Sequence, residues 1–415
     1  MSTVDVVITG MGATTPLGGD VTSTWDGLIA GRSGIAVNKA EWAEQYDMPS
    51  RLCAPLAVEP SEILPRVQLR RLDRCEQVAI IAARQAWADA GFEMPSDDNH
   101  PVDPDRLGVA IGTGIGGPLT LLAQDDLLET QGLRKVSPLT VPMLMPNGPA
   151  AHVSIELMAR AGVHTPASAC ASGAEGLATG WQMIQNGRAD VVVAGGAEAC
   201  IMPITVAGFA QSRTLSLRND EPERASRPFD VDRDGFVLGE GSGVLVLERE
   251  DHARARGARI YGRLAGAGIT SDAYHITGNH PEGIGQINAI TEALRTADLS
   301  PADIGHVNAH ATSTVVGDIG EAVAISKAIG DHVVLTAPKS ALGHLVGGAG
   351  AVESIITILS IYHGIIPATR NLENQDPKVT LDVVAGEPRK LELNAAVNDS
   401  FGFGGHNVAL AFTAA

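Results

Sequence analysis

Ser168-Ala-Cys-Ala-Ser-Gly173 and Lys339-Ser-Ala-Leu-Gly-His344 are the stretches on which the fold turns. Each is a turn of small residues that carries a reactive side chain and stands between a short strand and a helix. Around the first, Leu107–Ile111 reads as a buried strand and Pro149–Ala161 as a helix stopped by Gly162. Ala171–Gln185 reads as a helix stopped by Asn186-Gly187, followed at once by a strand over Asp190–Ala194. Around the second, Val333–Thr336 reads as a strand, with helices over Gly317–Ile329 and Gly347–His363. Further out, Val4–Thr9 reads as a strand entering a Gly/Thr/Pro loop over Gly10–Gly19, and Gln77–Ala90 as a helix closed by Gly91. Ala265–Ile269 is another strand, and Ala396–Asn398 and Val408–Phe412 pair around a Gly-rich turn. This alternation predicts an α/β fold with mostly parallel strands. The repeated plan predicts two similar halves, 1–258 with the thiol and 259–415 with the histidines. They meet where the charged segment Glu248–Arg259 ends.

Composition bounds the function. The chain has 415 residues, with 30 Lys and Arg against 48 Asp and Glu, a net charge of −18. A general nucleic-acid binder needs a basic face, so the acidic balance disfavours that class and no nucleic-acid partner is expected. A small basic patch for an acidic partner is not excluded. Cys53, Cys75, Cys170 and Cys200 form no CxxC pair and are too scattered for a disulfide framework. The N-terminus lacks a basic segment leading into an apolar one, and no apolar run reaches ~18 residues. A cytoplasmic protein with no membrane association is expected. The Asn398-Asp399-Ser400 sequon is therefore set aside.

Cys170 is the sharpest single feature. A thiol where a helix begins meets unpaired N–H groups and the positive end of the helix dipole, and both favour thiolate. The competing reading is a buried cysteine acting as a small hydrophobe, which is the reading preferred for Cys53, Cys75 and Cys200. His310 and His344 each sit on a small-residue turn after a strand, where α/β folds place their sites. His306 and His310 are four apart, but the segment reads as a strand, so they would not share a face and no metal site is assigned. Gly112-Thr-Gly-Ile-Gly-Gly117 fits a dinucleotide-binding fingerprint, yet the chain then runs into Arg134–Pro138 instead of completing that unit. Asp230–Gly235 opens like a calcium loop but lacks the final bidentate acid. Asp318-Ile-Gly-Glu321 has the spacing of a helix cap, which accounts for both acids without excluding a supporting role.

Taken in order, longer motifs resemble one family. Val7-Ile-Thr-Gly-Met-Gly12, Ser168–Gly173, Ser226-Arg-Pro-Phe-Asp230, Asn308-Ala-His-Ala-Thr-Ser-Thr314, Pro338–His344 and Ser400-Phe-Gly-Phe-Gly-Gly-His-Asn407 together resemble the β-ketoacyl-acyl carrier protein synthases. The match is to the elongating type II enzymes of bacterial fatty-acid synthesis. The resemblance implies the thiolase-like fold, two similar α/β halves in a five-layered αβαβα arrangement, and a homodimer. It implies Cys170 as the acyl-accepting nucleophile. His310 and His344 would assist malonyl decarboxylation and stabilise the enolate. The N–H groups of Cys170 and Phe403 would form an oxyanion hole, with Phe403 also the gate to the acyl pocket. Lys339 would be an organising cation paired with Glu353, with Asp318 nearby, and Thr312 and Thr314 would contact the pantetheine arm. Acyl carrier proteins are acidic, so Arg70, Arg71, Arg134, Lys135 and Arg213, which match basic family positions, are the expected docking residues. No cofactor is implied, and no metal beyond an alkali cation that the resemblance allows near Asn308, Glu353 and Asn398.

The implied reaction is a decarboxylative Claisen condensation of an acyl group on Cys170 with malonyl-acyl carrier protein. A polyketide-type ketosynthase would use the same Cys-His-His set on another chain. A biosynthetic thiolase needs a second active-site Cys, which Phe401–His406 lacks, and an initiating or chalcone-synthase-like enzyme would carry Asn where His344 stands. A non-catalytic ketosynthase partner subunit would lack Cys170. A cysteine hydrolase using Cys170 and His310 would have to admit water.

Overall fold

The computed structural model describes residues 4–415. The first half contributes strands β1 (Val6–Thr14), β2 (Leu107–Gly112), β3 (Gly162–His164), β4 (Val191–Glu198) and β5 (Gly241–Arg249). The second contributes β6 (Gly262–Ser271), β7 (His306–Asn308), β8 (Val334–Thr336), β9 (Asp382–Val383), β10 (Ala395–Gly402) and β11 (His406–Thr413). The principal helices are α1 (Arg74–Asp89), α2 (Pro118–Gln131), α3 (Gly148–Glu156), α4 (Ser172–Gln185), α5 (Ile284–Thr296), α6 (Val315–Ala328) and α7 (Ala349–His363).

The first half runs β3-β2-β4-β5-β1, and the second runs β8-β7-β10-β11-β6 with β9 added outside β8. The pairing sense matches step for step. β3–β2 and β2–β4 are parallel, β4–β5 and β5–β1 antiparallel. β8–β7 and β7–β10 are parallel, β10–β11 and β11–β6 antiparallel. Within the main sheet the halves join through the short antiparallel pairing Val7↔Arg263 and Ile8↔Gly262. The expectation of mostly parallel strands is thus corrected. The antiparallel ladders are long because β4, β5, β10 and β11 are consecutive or neighbouring strands that need no crossover helix.

Three apolar layers alternate with the sheets. One, with Val78, Ile81, Val109 and Val193, lies between α1, α3 and the first half-sheet. A central one holds Leu177, Ile184, Leu245, Ile358 and Leu410 around α4 and α7. The third, with Ile290, Ile325, Val307 and Val397, lies under α5 and α6. The sequence of helix, sheet, helix, sheet, helix gives the five layers. α7 is apolar nearly all round, and residues 346–363 would be long enough to cross a membrane, but 89% of that stretch is buried inside the chain.

Several boundaries shift from the sequence reading. β1 runs on to Thr14 through what reads as a loop. Gly10 and Gly12 are there because α1 lies directly on the strand: a Cβ would come 2.2 Å from the Ala86 carbonyl oxygen and 2.0 Å from that of Ala82. α3 ends at Glu156, five residues before the expected stop. A helix does follow the Gly112–Gly117 loop, at Pro118–Gln131, but that loop packs against Ala169 and Val346 instead of opening to a ligand. Asp230 is no calcium ligand: its carboxylate accepts from Arg227 Nε and the N–H groups of Asp232, Glu373 and Asn374. His306 points into the core, its Nδ1 2.8 Å from the Val334 carbonyl oxygen.

Candidate active site

The two turns occupy equivalent places, one leading from β3 into α4 and the other from β8 into α7. Between them lies a cavity of about 360 Å³ lined by Cys170, His310, His344, Thr312, Thr314 and Phe403. Phe209, Phe236 and Phe401 add apolar walls. The His310 and His344 rings meet edge to face with centroids 5.5 Å apart. His310 also meets Phe401 and His344 meets Phe236.

Cys170 lies in a single 3₁₀ turn, Ala169–Ala171, just ahead of α4. Ala169 is forced to φ +52°. Ser313 at φ +70° and Val346 at φ +45° impose the same left-handed backbone beside Thr312 and His344. Such strain in non-glycine residues persists only where packing over-determines it. Gly402 seals the other side: a Cβ there would come 2.4 Å from the Ser168 carbonyl oxygen.

The electrostatics correct one expectation. Burial pushes the Cys170 thiol up to about 12; Lys339 pulls it down, Glu198 pushes it up, and the N–H groups of Phe403 and Cys170 itself pull it down. The resting group is a thiol, not the thiolate expected at a helix start, because desolvation outweighs the N–H donors. Burial also holds His310 and His344 well below the ordinary histidine range, and Lys339 lowers both further. Both rings are neutral at pH 7.

Lys339 and Glu353, both 2% exposed at their side chains, form an ion pair. Lys339 Nζ also stands 3.5 Å from His310 Nδ1. An ammonium can only donate, so Nδ1 is the acceptor and Nε2 of His310 carries the proton. Asp318 is held by backbone donors. Its carboxylate accepts from the N–H groups of Phe229 and Thr314, and Arg233 Nε lies 3.5 Å away. A second acid, Glu321, feels the Lys339 charge, and its two oxygens accept from the His310 N–H at 2.6 Å and the Ala311 N–H at 2.7 Å. The cap reading fails for both acids, because α6 begins at Val315 and both lie inside it; Glu321, three residues past Asp318, faces the turn after β7.

Thr312 and Thr314 line the cavity with hydroxyls 3.2 Å apart. Phe403 lies between Gly402 and Gly404 with its ring 6.4 Å from that of Phe209. Arg213 is exposed and stands on the cavity lining, while Arg70, Arg71, Arg134 and Lys135 are exposed away from that lining. Behind the site, Asn308 Oδ1, Asn398 Oδ1 and Glu353 Oε2 are buried without hydrogen-bond partners. Their other polar atoms are fixed: Asn308 Nδ2 donates to the Glu353 carbonyl, Asn398 Nδ2 to that of Gly350. Glu198 is the residue the sequence reading misses outright. It ends β4 as one acid in an apolar run, Val191–Ala197, and that break in pattern was the available signal.

Comparison with known proteins agrees with this geometry. Residues 3–253 match the model for the beta-ketoacyl synthase N-terminal domain, and residues 261–373 match the C-terminal domain. The 3-oxoacyl-[acyl-carrier-protein] synthase 2 of Mycobacterium tuberculosis is 49% identical over 409 residues, 98% of this chain and 96% of that protein. The enzyme of the same name from Staphylococcus aureus is 42% identical over 98% and 97%. A beta-ketoacyl synthase crystal structure from Burkholderia phymatum superposes with TM-score 0.91 at 35% identity, over 99% of this chain and 100% of that one. A type II polyketide ketosynthase, solved with its acyl-carrier protein, superposes with TM-score 0.90 at 30% identity over both chains in full.

Proposed function

From the premise that this chain belongs to the beta-ketoacyl synthase family, with its thiolase fold, we propose that Cys170, His310 and His344 carry out its condensation. The chain is an acyltransferase of fatty-acid elongation: it joins an acyl group to malonyl-acyl carrier protein and forms 3-oxoacyl-acyl carrier protein. The observation that carries the assignment of residues is the meeting of one thiol and two neutral imidazoles, from equivalent ends of two repeated half-sheets, on one cavity.

In the first half-reaction Cys170 Sγ attacks the thioester carbonyl. The thiol proton leaves with the carrier's sulfur, and the N–H groups of Cys170 and Phe403 hold the oxyanion, one such donor being worth ~2.7–4 kcal/mol. In the second, the malonyl C–C bond to the carboxylate breaks and carbon dioxide departs. The electron pair becomes an enolate whose oxygen accepts from His310 Nε2 and from His344. Neutral donors suit this step, because each keeps its proton as the charge develops. The enolate carbon attacks the acyl-Cys170 carbonyl, the C–S bond breaks, and the released sulfur takes a proton from solvent. Lys339 supplies a fixed positive charge that lowers the cost of the anionic sulfur. Thr312 and Thr314 hold the pantetheine arm, and Phe403 gates the acyl pocket.

Carrier-protein docking on Arg70, Arg71, Arg134, Lys135 and Arg213 is supported by their exposure and by the need for a basic patch on a chain of charge −18. Homodimerisation is supported by β3, an edge strand at the end of the sheet, and by the exposed Ile155 and Val163 on and beside it. Light scattering tests it, a monomer mass overturning it. Division into halves 1–258 and 259–415 is supported by the repeated ladder, and a cytoplasmic location by the burial of α7. Asn308, Asn398 and Glu353 fit an alkali cation, since three buried oxygens otherwise lack partners. A rise in melting temperature in potassium chloride over equal choline chloride, lost in Asn398→Leu, tests this.

One structural neighbour is a type II polyketide ketosynthase, but the 42–49% identities are to proteins named 3-oxoacyl-[acyl-carrier-protein] synthase 2. The discriminating experiment supplies acyl carriers of graded length with malonyl-acyl carrier protein and analyses the products by mass. One condensation per encounter supports elongation in fatty-acid synthesis. Poly-3-oxo chains built without reduction would support the polyketide reading.

A further inference from the structure

Glu198 is fully buried at the end of β4 and takes no part in the reaction described above. Its carboxylate ties together backbone from both halves of the chain. Oε1 accepts from Thr113 Oγ1, while Oε2 accepts from the Gly114 N–H at 2.8 Å and the Gly347 N–H at 3.2 Å. The Ile115 N–H also faces it. These segments form the floor beneath the nucleophile. A Cβ on Gly114 would touch Glu198 Oε2, Val346 Cγ1 and the Ala169 carbonyl oxygen. Val346 packs in one apolar cluster with Cys170, and Ala169 and Val346 are the left-handed residues that hold the turns.

We propose that Glu198 is a positioning residue that seats Cys170 and whose negative charge adds to burial in disfavouring the thiolate. The inference rests on reading Cys170 as the acyl-accepting group. Burial without a cation raises the Glu198 carboxyl to about 7, so above neutral pH it is mostly charged. That charge is felt by the three thiols around it, Cys75, Cys170 and Cys200. Glu240 acts with it on Cys200, and Asp73 and Glu76 act with it on Cys75. On Cys170 it is opposed by Lys339, and the neutral His310 and His344 line the same cavity. Acylation needs the sulfur anionic only transiently, when two N–H donors and Lys339 stabilise it. Between turnovers this charge adds to burial in keeping the thiolate scarce, and thiolate is the form that reacts with oxidants.

The variant that separates charge from shape is Glu198→Gln. Its oxygen can accept from Gly114 and Gly347, and its NH₂ can donate to Thr113 Oγ1, a hydroxyl able to accept. Glu198→Asp keeps the charge and shortens the reach. The experiment follows iodoacetamide alkylation of Cys170 against pH, read by peptide mass, in full-length wild type and both variants. Between pH 8 and 9.5 the Gln variant should alkylate about tenfold faster, its profile moving down by about one pH unit. The Asp variant should keep the wild-type profile. Superimposed wild-type and Gln profiles overturn the proposal, as does an equal downward shift in both variants, which would make packing the agent instead of charge. Alkylation requires no acyl carrier. Failure of Cys170 to accept acyl groups would sink the nucleophile reading and leave this result separate.

Discussion

Replacing Glu321 with Ala should split the two half-reactions. Its oxygens accept from the backbone N–H groups of His310 and Ala311, and the residue is 2% exposed. Removing it leaves two buried donors unpaired, at about 1–3 kcal/mol each. The turn then carries about 2–6 kcal/mol that it can relieve by moving His310. If only about 2 kcal/mol appears in the decarboxylation barrier, the rate falls about 30-fold. Cys170 is held by other groups, the 3₁₀ turn before α4 and the Gly402 contact, so its acylation should change by less than about threefold. The assay measures carbon dioxide release from malonyl-acyl carrier protein alongside acyl transfer to Cys170 from acyl-acyl carrier protein. Glu321→Gln should fall between, since it keeps one acceptor and presents one donor to a donor. Equal loss in both half-reactions, or unimpaired decarboxylation in the Ala variant, would refute the reasoning that Glu321 acts through His310.

Three further outcomes are expected. Lys339→Met leaves Glu353 as an unpaired buried acid and should cost about 3–5 kcal/mol in urea unfolding, whereas a loss under about 1 kcal/mol would make the pair incidental. His310 and His344 have depressed pKa values, so their neutral forms should persist as pH falls through 6.5. Nitrogen-15 NMR of labelled histidines from pH 7.5 to 5.5, assigned with single variants, should show neither ring titrating, and a midpoint near 6.5 for either would contradict the role given to burial and Lys339. Charge reversal at Arg134 and Lys135 should raise KM for carrier-bound substrates at low salt and matter less at high salt; an unchanged KM at both would remove them from the docking surface.

The chemistry-bearing turns were legible because each combines small residues, a reactive side chain and a strand-to-helix transition, and the motif order supplied the rest. The strand sense was less legible. Alternating strands and helices imply crossovers, yet β4–β5 and β10–β11 are joined by other routes and pair antiparallel. The Gly10–Thr14 stretch reads as a loop because glycine is poor in strands in isolation, and only the close packing of α1 explains it. The state of Cys170 was misjudged for a related reason: the donors at a helix start can be read locally, but the burial that overrides them comes from segments distant in sequence. Glu321 and Glu198 escaped assignment because their partners are backbone N–H groups of remote turns, which no side-chain pattern records.

The central claim is that Cys170 holds the acyl group while His310 and His344 generate the attacking enolate beside it. Intact-mass and peptide mapping after mixing with medium-chain acyl-acyl carrier protein, followed by a malonyl-acyl carrier protein chase, tests it directly. The account predicts an acyl adduct on Cys170 that the chase discharges as 3-oxoacyl-acyl carrier protein in wild type and that persists when His310 or His344 is replaced by Ala. An adduct on another residue, or its release as free acid without condensation, would contradict it.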